Sequence, residues 1–87
     1  MIARQLEKYL KGVANHRRID ILRLIAKENG ISLEGIADGL GCNFKTISEH
    51  TRKLAQADLV EKTYKGRIVT HSLSPHGKIF HKFIMTF

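Results

Sequence analysis

The chain has 87 residues, which is enough for one domain but too few for two ordinary hydrophobic cores. Its 43% apolar residues suffice for one core and exclude global disorder. Lys and Arg number 15 against 8 Asp and Glu, which gives a formal net charge of +7. A small domain with this excess is typical of proteins that meet an acidic partner, and nucleic acid is the commonest such partner.

Cysteine content and hydropathy limit the compartment and the chemistry. Cys42 is the only cysteine, so the chain forms no internal disulfide and lacks the thiolates of a zinc–sulfur site. No apolar run approaches the ~20 residues of a membrane span, and residues 1–8 lack the apolar segment of a signal peptide. We therefore expect a cytoplasmic protein with no membrane association, no cofactor and no bound metal.

The first two predicted elements are helices. Apolar residues recur at helical spacing along residues 2–13, which predicts an amphipathic first helix. Asn15 is the expected N-cap of a second helix that ends near Gly30, because short polar side chains favour helix starts and glycine favours helix ends. Apolar residues cover much of this second helix, so we expect it to lie centrally in the fold.

Two shorter helices joined by a glycine turn follow. Ser32 is the expected cap of a third helix, which ends at Gly41. Asn43 is the expected cap of a fourth helix that reaches about Ala57. Two helices of this length joined by such a turn indicate a helix-turn-helix motif.

Beyond Ala57 the spacing of apolar residues changes from a period of 3.6 residues to a period of 2. Residues 59–64 and 67–73 are therefore predicted to be strands. Lys65-Gly66 is predicted to be the tight turn between them, because glycine tolerates a positive φ.

The last predicted element is a helix over residues 75–87, which Ser74 caps and Pro75 opens. A helix-turn-helix followed directly by a hairpin with a basic tip indicates a winged helix-turn-helix. The sequence therefore predicts one domain over residues 1–87. Its class is mainly α with a small β-hairpin (α+β), with about five helices and a two- or three-stranded wing.

Several short sequences between Asn15 and Leu73 carry a family resemblance. They are NHRRIDILRLI at 15–25, IADGLG at 36–41, TISEH at 46–50 and ADLV at 57–60. With these segments the chain resembles the ArsR-type winged helix-turn-helix transcriptional regulators, and more loosely the MarR type. The resemblance implies a DNA-binding scaffold and a homodimer.

The chain departs from the ArsR pattern at two helix positions and at its metal sites. Thr51 stands where the family usually has Leu, and Asp58 where it usually has Gly. The paired cysteines of soft-metal sensors are missing from the third helix, and no Asp or Glu follows Glu61. The resemblance therefore implies DNA binding without metal sensing.

The fourth helix is the predicted recognition helix. At 100° per residue, the side expected to face the core carries Ile47, Thr51, Leu54 and Asp58. The N-terminal part of such a helix enters the major groove, so the base-reading candidates are Lys45, Thr46 and Glu49. The phosphate-contact candidates are Asn43, Ser48, His50, Arg52, Lys53 and Gln56, with Arg17 and Arg18 at the start of the second helix.

The hairpin supplies a second candidate DNA contact. The wing candidates are Lys62, Lys65, Gly66 and Arg67, which we expect along the DNA backbone or in the minor groove. Ordinary turn chemistry explains the glycine but not the cations on either side of it. Cys42 is interpreted as a small apolar filler, with a redox-sensing thiol as the alternative. His71, His76 and His81 are interpreted as surface residues.

Apolar stripes on the two terminal helices, at about 2–13 and 75–87, predict a dimer interface. The candidate interface residues are Ile2, Leu6, Tyr9, Val13, Ile79, Phe80, Phe83, Ile84 and Phe87. A domain of this size has little interior left for both stripes, so we expect a two-fold interface between copies of the chain. The alternative is that these helices complete the core of the monomer.

Together these observations predict a sequence-specific regulator, acting as a repressor, that binds double-stranded DNA as a homodimer. We expect no enzyme, because the chain has no Ser/His/Asp set, acid pair or phosphate-binding glycine loop. One alternative is a winged-helix protein-interaction module, which predicts weak DNA binding even at low salt. The other is a nucleoid or plasmid-maintenance protein, which predicts binding with no sequence preference.

Overall fold

The computed structural model describes all residues from Met1 to Phe87. The elements in chain order are α1 (Ala3–Val13), α2 (His16–Lys27), α3 (Leu33–Leu40), α4 (Phe44–Gln56), β1 (Val60–Lys65), β2 (Ile68–Leu73) and α5 (Pro75–Ile84). This order confirms the predicted winged helix-turn-helix with five helices and a hairpin. None of the helices has the length and apolar character needed to cross a bilayer.

The predicted helix caps are confirmed by hydrogen bonds. In each, a side-chain oxygen accepts from a backbone N–H two or three residues later, and the four capping residues are Asn15, Ser32, Asn43 and Ser74. Gly41 ends α3 in the left-handed conformation with φ 62°, which a residue with a Cβ adopts at a cost. Local chemistry thus sets the sharp turn from α3 to α4.

The hairpin turn lies one residue later than predicted. Lys65 pairs with Ile68 across the hairpin, so the two turn residues are Gly66 and Arg67 instead of Lys65 and Gly66. Gly66 has φ 63°, whereas Arg67 does not have a positive φ. A positive φ at only the first turn residue is the type II′ arrangement that suits the twist of two strands.

The sheet has two antiparallel strands and one additional bridge. Ile31, just before α3, forms an isolated antiparallel bridge with His71 of β2. The wing was predicted to have two or three strands, and this single pair takes the place of a third strand. It fixes the start of α3 against the wing.

Three other boundaries differ from prediction. α1 begins at Ala3, α2 ends at Lys27 before Gly30, and α5 ends at Ile84 before Phe87. Asp58 was predicted on the core side of α4, but its side chain is 61% exposed. The helix has already ended there, and Asp58 turns the chain with φ 60°.

One hydrophobic core unites all the elements. Its buried members are Val13, Ile21, Leu22, Ile25, Ile36, Ala37, Ile47, Leu54, Ala57, Leu59, Val60 and Leu73. As expected, α2 is central, because it packs against the other four helices and β2. Burial of these side chains is the main source of stability in a domain of this size.

Two glycines let the terminal helices approach the segment that joins α4 to β1. A Cβ at Gly77 of α5 would overlap the carbonyl oxygen of Leu59. A Cβ at Gly12 of α1 would lie 2.5 Å from the Cβ of Ala57. The terminal helices therefore pack directly on the joint between the recognition helix and the wing.

Candidate nucleic-acid interface

One face of α4 is fixed in the core and the other is free. Ile47, Thr51 and Leu54 are completely or almost completely buried, as the helical spacing predicted. The residues on the opposite side are exposed: Lys45, Thr46, Glu49, Arg52, Lys53 and Gln56. Asn43 is also exposed, although its Oδ1 already accepts hydrogen bonds from the first turn of α4, and Ser48 is half-buried.

Glu49 and Arg52 form an ion pair within the polar face. Arg52 Nε donates to Glu49 Oε2 over 3.2 Å, and a second guanidinium nitrogen donates to Oε1. The hydrogen bonds from Arg52 are the main reason why the pKa of Glu49 lies below its ordinary value. The carboxylate is therefore ionised at neutral pH and orients the Arg52 side chain.

Arg18 and His50, two of the predicted phosphate contacts, form a hydrogen bond with each other. Arg18 Nε donates to His50 Nδ1 over 3.2 Å. Arg18 Nη1 also donates to the carbonyl oxygens of Lys11 and Gly12 at the end of α1. These hydrogen bonds tie both side chains into the domain but leave Arg18 Nη2 and His50 Nε2 without a partner, so the phosphate contacts of these two residues stay a prediction.

Burial and charge keep His50 neutral. Burial is the main cause that lowers the pKa of His50, and the positive charge of Arg18 lowers it further. A neutral imidazole with a free Nδ1 lone pair is the form that can accept from Arg18. The electrostatics and the hydrogen bond therefore agree.

Arg17 stays exposed next to the turn between α3 and α4. Its guanidinium donates to Cys42 Sγ, and the thiol lies 3.3 Å from the carbonyl oxygen of Leu40. Cys42 is half-buried and packs against the core, which agrees with its interpretation as an apolar filler. Arg17 remains a phosphate candidate at the edge of the helix-turn-helix.

The tip of the wing is exposed and basic. Lys65, Gly66 and Arg67 are exposed, and Arg67 lies in the turn itself. Lys62 is half-buried at the middle of β1, directly opposite His71 in the strand register. The cations at the tip are therefore free to contact a partner, whereas Lys62 lies nearer to the core.

His71 is not a surface residue as predicted. It is 2% exposed, and its Nδ1 lies 2.8 Å from the carbonyl oxygen of Ile31. Burial is the main cause that lowers its pKa, while the hydrogen bond to Ile31 raises it to a smaller extent. The prediction failed because the bridge from Ile31 brings the residues before α3 against β2 and buries His71. The alternation of residues along the strand does not reveal this contact.

The stretch that forms these features matches a known family model. The model of the HVO_A0114 family matches residues 13–72, which is more than half of the chain. The chain belongs to the HVO_A0114 family. The matched stretch begins at the end of α1 and includes the helix-turn-helix and nearly the whole wing. None of the curated proteins compared matches this HVO_A0114 family member.

Solved structures share the fold over almost the whole chain. The homodimeric winged helix-turn-helix DNA-binding domain of Mb0332 from Mycobacterium bovis, a possible ArsR-family transcriptional regulator, is 26% identical, with a TM-score of 0.84 over 94% of this chain and 76% of that one. HlyU from Vibrio cholerae is 24% identical, with a TM-score of 0.85 over 94% of this chain and 89% of that one. The transcriptional repressor PagR of Bacillus anthracis is 20% identical, with a TM-score of 0.84 over 93% of both chains. These likenesses confirm the predicted resemblance to ArsR-type winged-helix regulators.

The terminal helices of this HVO_A0114 family member divide the predicted interface residues between core and surface. Val13 is 8% exposed and belongs to the core, so little of its side chain is left for the predicted interface. Tyr9, Phe80 and Ile84 are half-buried against the core. Those that remain exposed are Ile2, Leu6, Ile79, Phe83 and Phe87.

Part of this exposed apolar surface lines a groove between α1, α2 and α5. The groove has a volume of about 430 Å³ and contains Leu10, Phe83 and Phe87. The sequence reading missed Leu10, which is exposed and completes the stripe of Ile2 and Leu6 at spacing i, i+4, i+8. This spacing could have identified Leu10 in the sequence. Tyr9 and Val13 are also apolar, however, and the pattern alone does not show which apolar residues of α1 face solvent.

Metal-ligating side chains are scattered over the domain. No group of three or more His, Cys, Asp or Glu residues lies close enough together to hold a metal ion. His76, which precedes Gly77 in α5, stacks on Tyr9 with ring centroids 4.5 Å apart and lies 3.2 Å from an Asp58 oxygen. It therefore joins α1 to the end of α4.

Proposed function

We propose that this protein is a transcriptional regulator that binds double-stranded DNA sequence-specifically as a homodimer. The observation that carries the proposal is the polar, exposed N-terminal half of α4, which a helix-turn-helix holds away from the core. The net charge of +7 favours a polyanionic partner. The fold likeness to DNA-binding regulators such as the Mb0332 domain supports the same assignment.

The recognition helix is the part that reads bases. The N-terminal end of such a helix enters the major groove, where Lys45 and Thr46 donate to base acceptors. Glu49 is ionised and accepts from the amino group of cytosine, while the Arg52 that it orients contacts a neighbouring base or phosphate. This arrangement supplies donors and acceptors of both kinds, as direct readout requires.

Phosphate contacts fix the helix on the duplex. The phosphate candidates on α4 are Asn43, Ser48, Lys53 and Gln56, and Arg17 lies beside the turn. The wing adds Lys65 and Arg67, whose exposed side chains follow the backbone or enter the minor groove. Arg18 and His50 join α1, α2 and α4 by hydrogen bonds and remain phosphate candidates through Arg18 Nη2 and His50 Nε2.

Two copies of the chain present two recognition helices. Exposed apolar side chains on α1 and α5 form a face that two copies cover when they pack about a two-fold axis. The homodimeric state of the Mb0332 domain supports this arrangement. In such a dimer the half-sites lie one helical turn, roughly 34 Å, apart on the DNA.

We propose that the protein represses transcription, because a dimer bound to promoter DNA blocks access to the promoter. The similar structure of PagR is that of a transcriptional repressor. We place the protein in the cytoplasm, where operator DNA lies, and we assign it no catalytic activity. Its partners are then double-stranded DNA and a second copy of the chain, with no metal required for either.

Selection of bound fragments from random duplex DNA tests this function. We expect enrichment of an inverted repeat. We also expect affinity to fall steeply with salt, so that the slope of log K against log salt is about −0.9 for each phosphate that the protein neutralises. Salt-sensitive binding without enrichment would indicate a sequence-independent architectural protein. Weak binding even at low salt would indicate a protein-interaction module.

A further inference from the structure

A second cavity lies between the start of α3 and the inner side of the wing. It has a volume of about 390 Å³, within the range of small-molecule sites. We call it the wing groove, and its lining residues are Ser32, Leu33, Glu34, Lys62, Tyr64, Arg67, Ile68, Val69 and His71. The bridge between Ile31 and His71 joins the start of α3 to β2, the two elements on either side of the groove.

The lining of the wing groove combines apolar walls with charges of both signs. Leu33, Tyr64 and Val69 present apolar surface, and much of it would be covered only by an occupant. Lys62 and Arg67 supply two positive charges, and Glu34 supplies one negative charge. No ion pair within the protein uses any of these three side chains.

We propose that the wing groove binds a small zwitterion with an apolar side chain, that is, an apolar α-amino acid. Its carboxylate would meet Lys62 and Arg67, its ammonium group would meet Glu34, and its side chain would cover the apolar walls. DNA phosphates fit this site less well, because the Glu34 carboxylate repels them and the side chains of Leu33 and Val69 offer them no hydrogen-bond donor.

His71 supports the same ligand chemistry from within the groove. Its Nδ1 is used by the Ile31 carbonyl oxygen, and its Nε2 has no partner within the protein. Because burial favours the neutral imidazole, Nε2 is an acceptor. A ligand ammonium group that reaches Nε2 can donate to it, whereas the phosphodiester anion of DNA carries no hydrogen to donate.

The position of the groove also predicts regulation, and this step rests on the proposed DNA-binding function. Of the two cations in the groove, Arg67 is the one that the proposed function uses on DNA. A ligand carboxylate that holds Arg67 withdraws it from phosphates. The salt slope of DNA binding should then fall by about 0.9.

Ligand binding can be measured first on the free protein by NMR. The probe is L-phenylalanine at millimolar concentration, compared with 3-phenylpropionate, which lacks the ammonium group, and 2-phenylethylamine, which lacks the carboxylate. We expect L-phenylalanine to shift the amide signals of Leu33, Lys62 and Val69 and to bind more tightly than either analogue. Absence of these shifts, or equal affinity for all three probes, would overturn the proposal.

Two substitutions separate the charged contacts. Glu34→Gln should weaken L-phenylalanine by about threefold to fivefold and leave 3-phenylpropionate unchanged, because only the former carries an ammonium group. Lys62→Gln should weaken L-phenylalanine and leave 2-phenylethylamine unchanged. Glu34 is exposed and Lys62 is half-buried, and neither side chain forms an ion pair within the protein, so circular dichroism should show an unchanged fold. Equal losses for all probes would contradict the assigned contacts.

The DNA arm distinguishes failure of this site from failure of the proposed function. L-phenylalanine should weaken DNA binding by the wild type, whereas Glu34→Gln should bind DNA normally and respond less to the ligand. If the protein binds no DNA, the NMR titration still shows whether the wing groove binds L-phenylalanine. If DNA shifts Leu33 and Val69 while L-phenylalanine does not, the groove is a DNA contact and the proposal is overturned.

Discussion

Arg18 donates from its Nε to the Nδ1 of His50 across 3.2 Å, and this contact joins α2 to the recognition helix. The same guanidinium binds the carbonyl oxygens of Lys11 and Gly12, which are otherwise unpaired at the end of α1. One side chain therefore connects a terminal helix with the helix that we expect to read DNA. The position of α4 then depends on how α1 is packed.

A double-mutant cycle measures this contact. We expect Arg18→Gln and His50→Ala to show a coupling energy of about 1 kcal/mol in urea unfolding, because each removes the same hydrogen bond. Arg17→Gln, one residue earlier and pointing at Cys42, is the matched control and should show almost no coupling with His50→Ala. Equal coupling of both arginines with His50 would contradict the hydrogen bond.

The buried His71 predicts how stability depends on pH. Its pKa is lowered by folding, so the unfolded chain binds more protons than the native protein as the pH falls below about 6.5. The stabilisation is therefore complete above that pH and is lost as the pH falls through the lower native pKa. His71→Asn should flatten this acid dependence of the unfolding free energy, whereas a matched change of the exposed His16 to Asn should not.

An imidazole signal that titrates at the ordinary pKa of histidine would contradict this expectation for His71. The signal can be followed by NMR while the unfolding free energy is measured over the same pH range. His50 contributes to stability in the same direction, because its pKa is also lowered, mainly by burial. The double variant of His50 and His71 should therefore show the smallest acid dependence.

Thr51 of the recognition helix carries a buried hydroxyl group without a hydrogen-bond partner. An unpaired buried hydroxyl costs about 1–3 kcal/mol, and valine has nearly the same shape without that group. We expect Thr51→Val to raise the free energy of unfolding by about 1 kcal/mol. Thr46→Val, at an exposed position of the same helix, should change it by less than about 0.5 kcal/mol. A destabilised Thr51→Val would indicate an undetected partner.

Local sequence patterns predicted the elements because the physics that sets them is local. A cap such as Asn43 and a left-handed glycine such as Gly41 act within a few residues, and helical spacing alone placed Ile47 and Leu54 in the core. The turn was misplaced by one residue, since a hairpin can use Gly66 at either turn position.

Contacts between distant residues could not be predicted in this way. Arg18 meets His50 from 32 residues away, and His71 meets Ile31 from 40 residues away. Helical spacing places His50 at the border of core and solvent but does not identify Arg18 as its partner. The alternation of the strand does not show that Ile31 covers His71. Val13 was placed at an interface for a related reason, since a helix stripe shows which residues are apolar but not which partner covers them.

The wing tip provides a test of DNA binding. Replacing Lys65 and Arg67 by alanine should weaken binding to all sequences alike and flatten the dependence of log K on log salt by about 0.9 for each phosphate that the wing no longer neutralises. The matched control replaces two exposed lysines outside α4 and the wing, Lys27 and Lys78, and should leave the slope nearly unchanged. Equal effects of the two variants would mean that the wing affects DNA binding only through its contribution to the net charge.

The exposed aromatic surface of α5 provides the test of the dimer. Phe83 is 55% exposed and lies edge-on to Phe87, with ring centroids 5.3 Å apart. Because Phe83 contributes little to the core, Phe83→Gln should fold as the wild type does by circular dichroism. If this surface joins two copies, the variant should sediment as a monomer where the wild type sediments as a dimer. Phe44→Gln, at a similarly exposed phenylalanine of α4, should remain dimeric.

Loss of the dimer should then remove one of two half-sites from DNA recognition. Each monomer keeps its recognition helix, so weak binding to a single half-site should survive. Affinity for the full inverted repeat should fall steeply, because the second half-site roughly 34 Å away no longer binds as part of the same molecule. A monomeric wild type, or a Phe83→Gln variant that unfolds, would mean that α5 only completes the monomer's own core. Recognition of an inverted repeat would then need another interface.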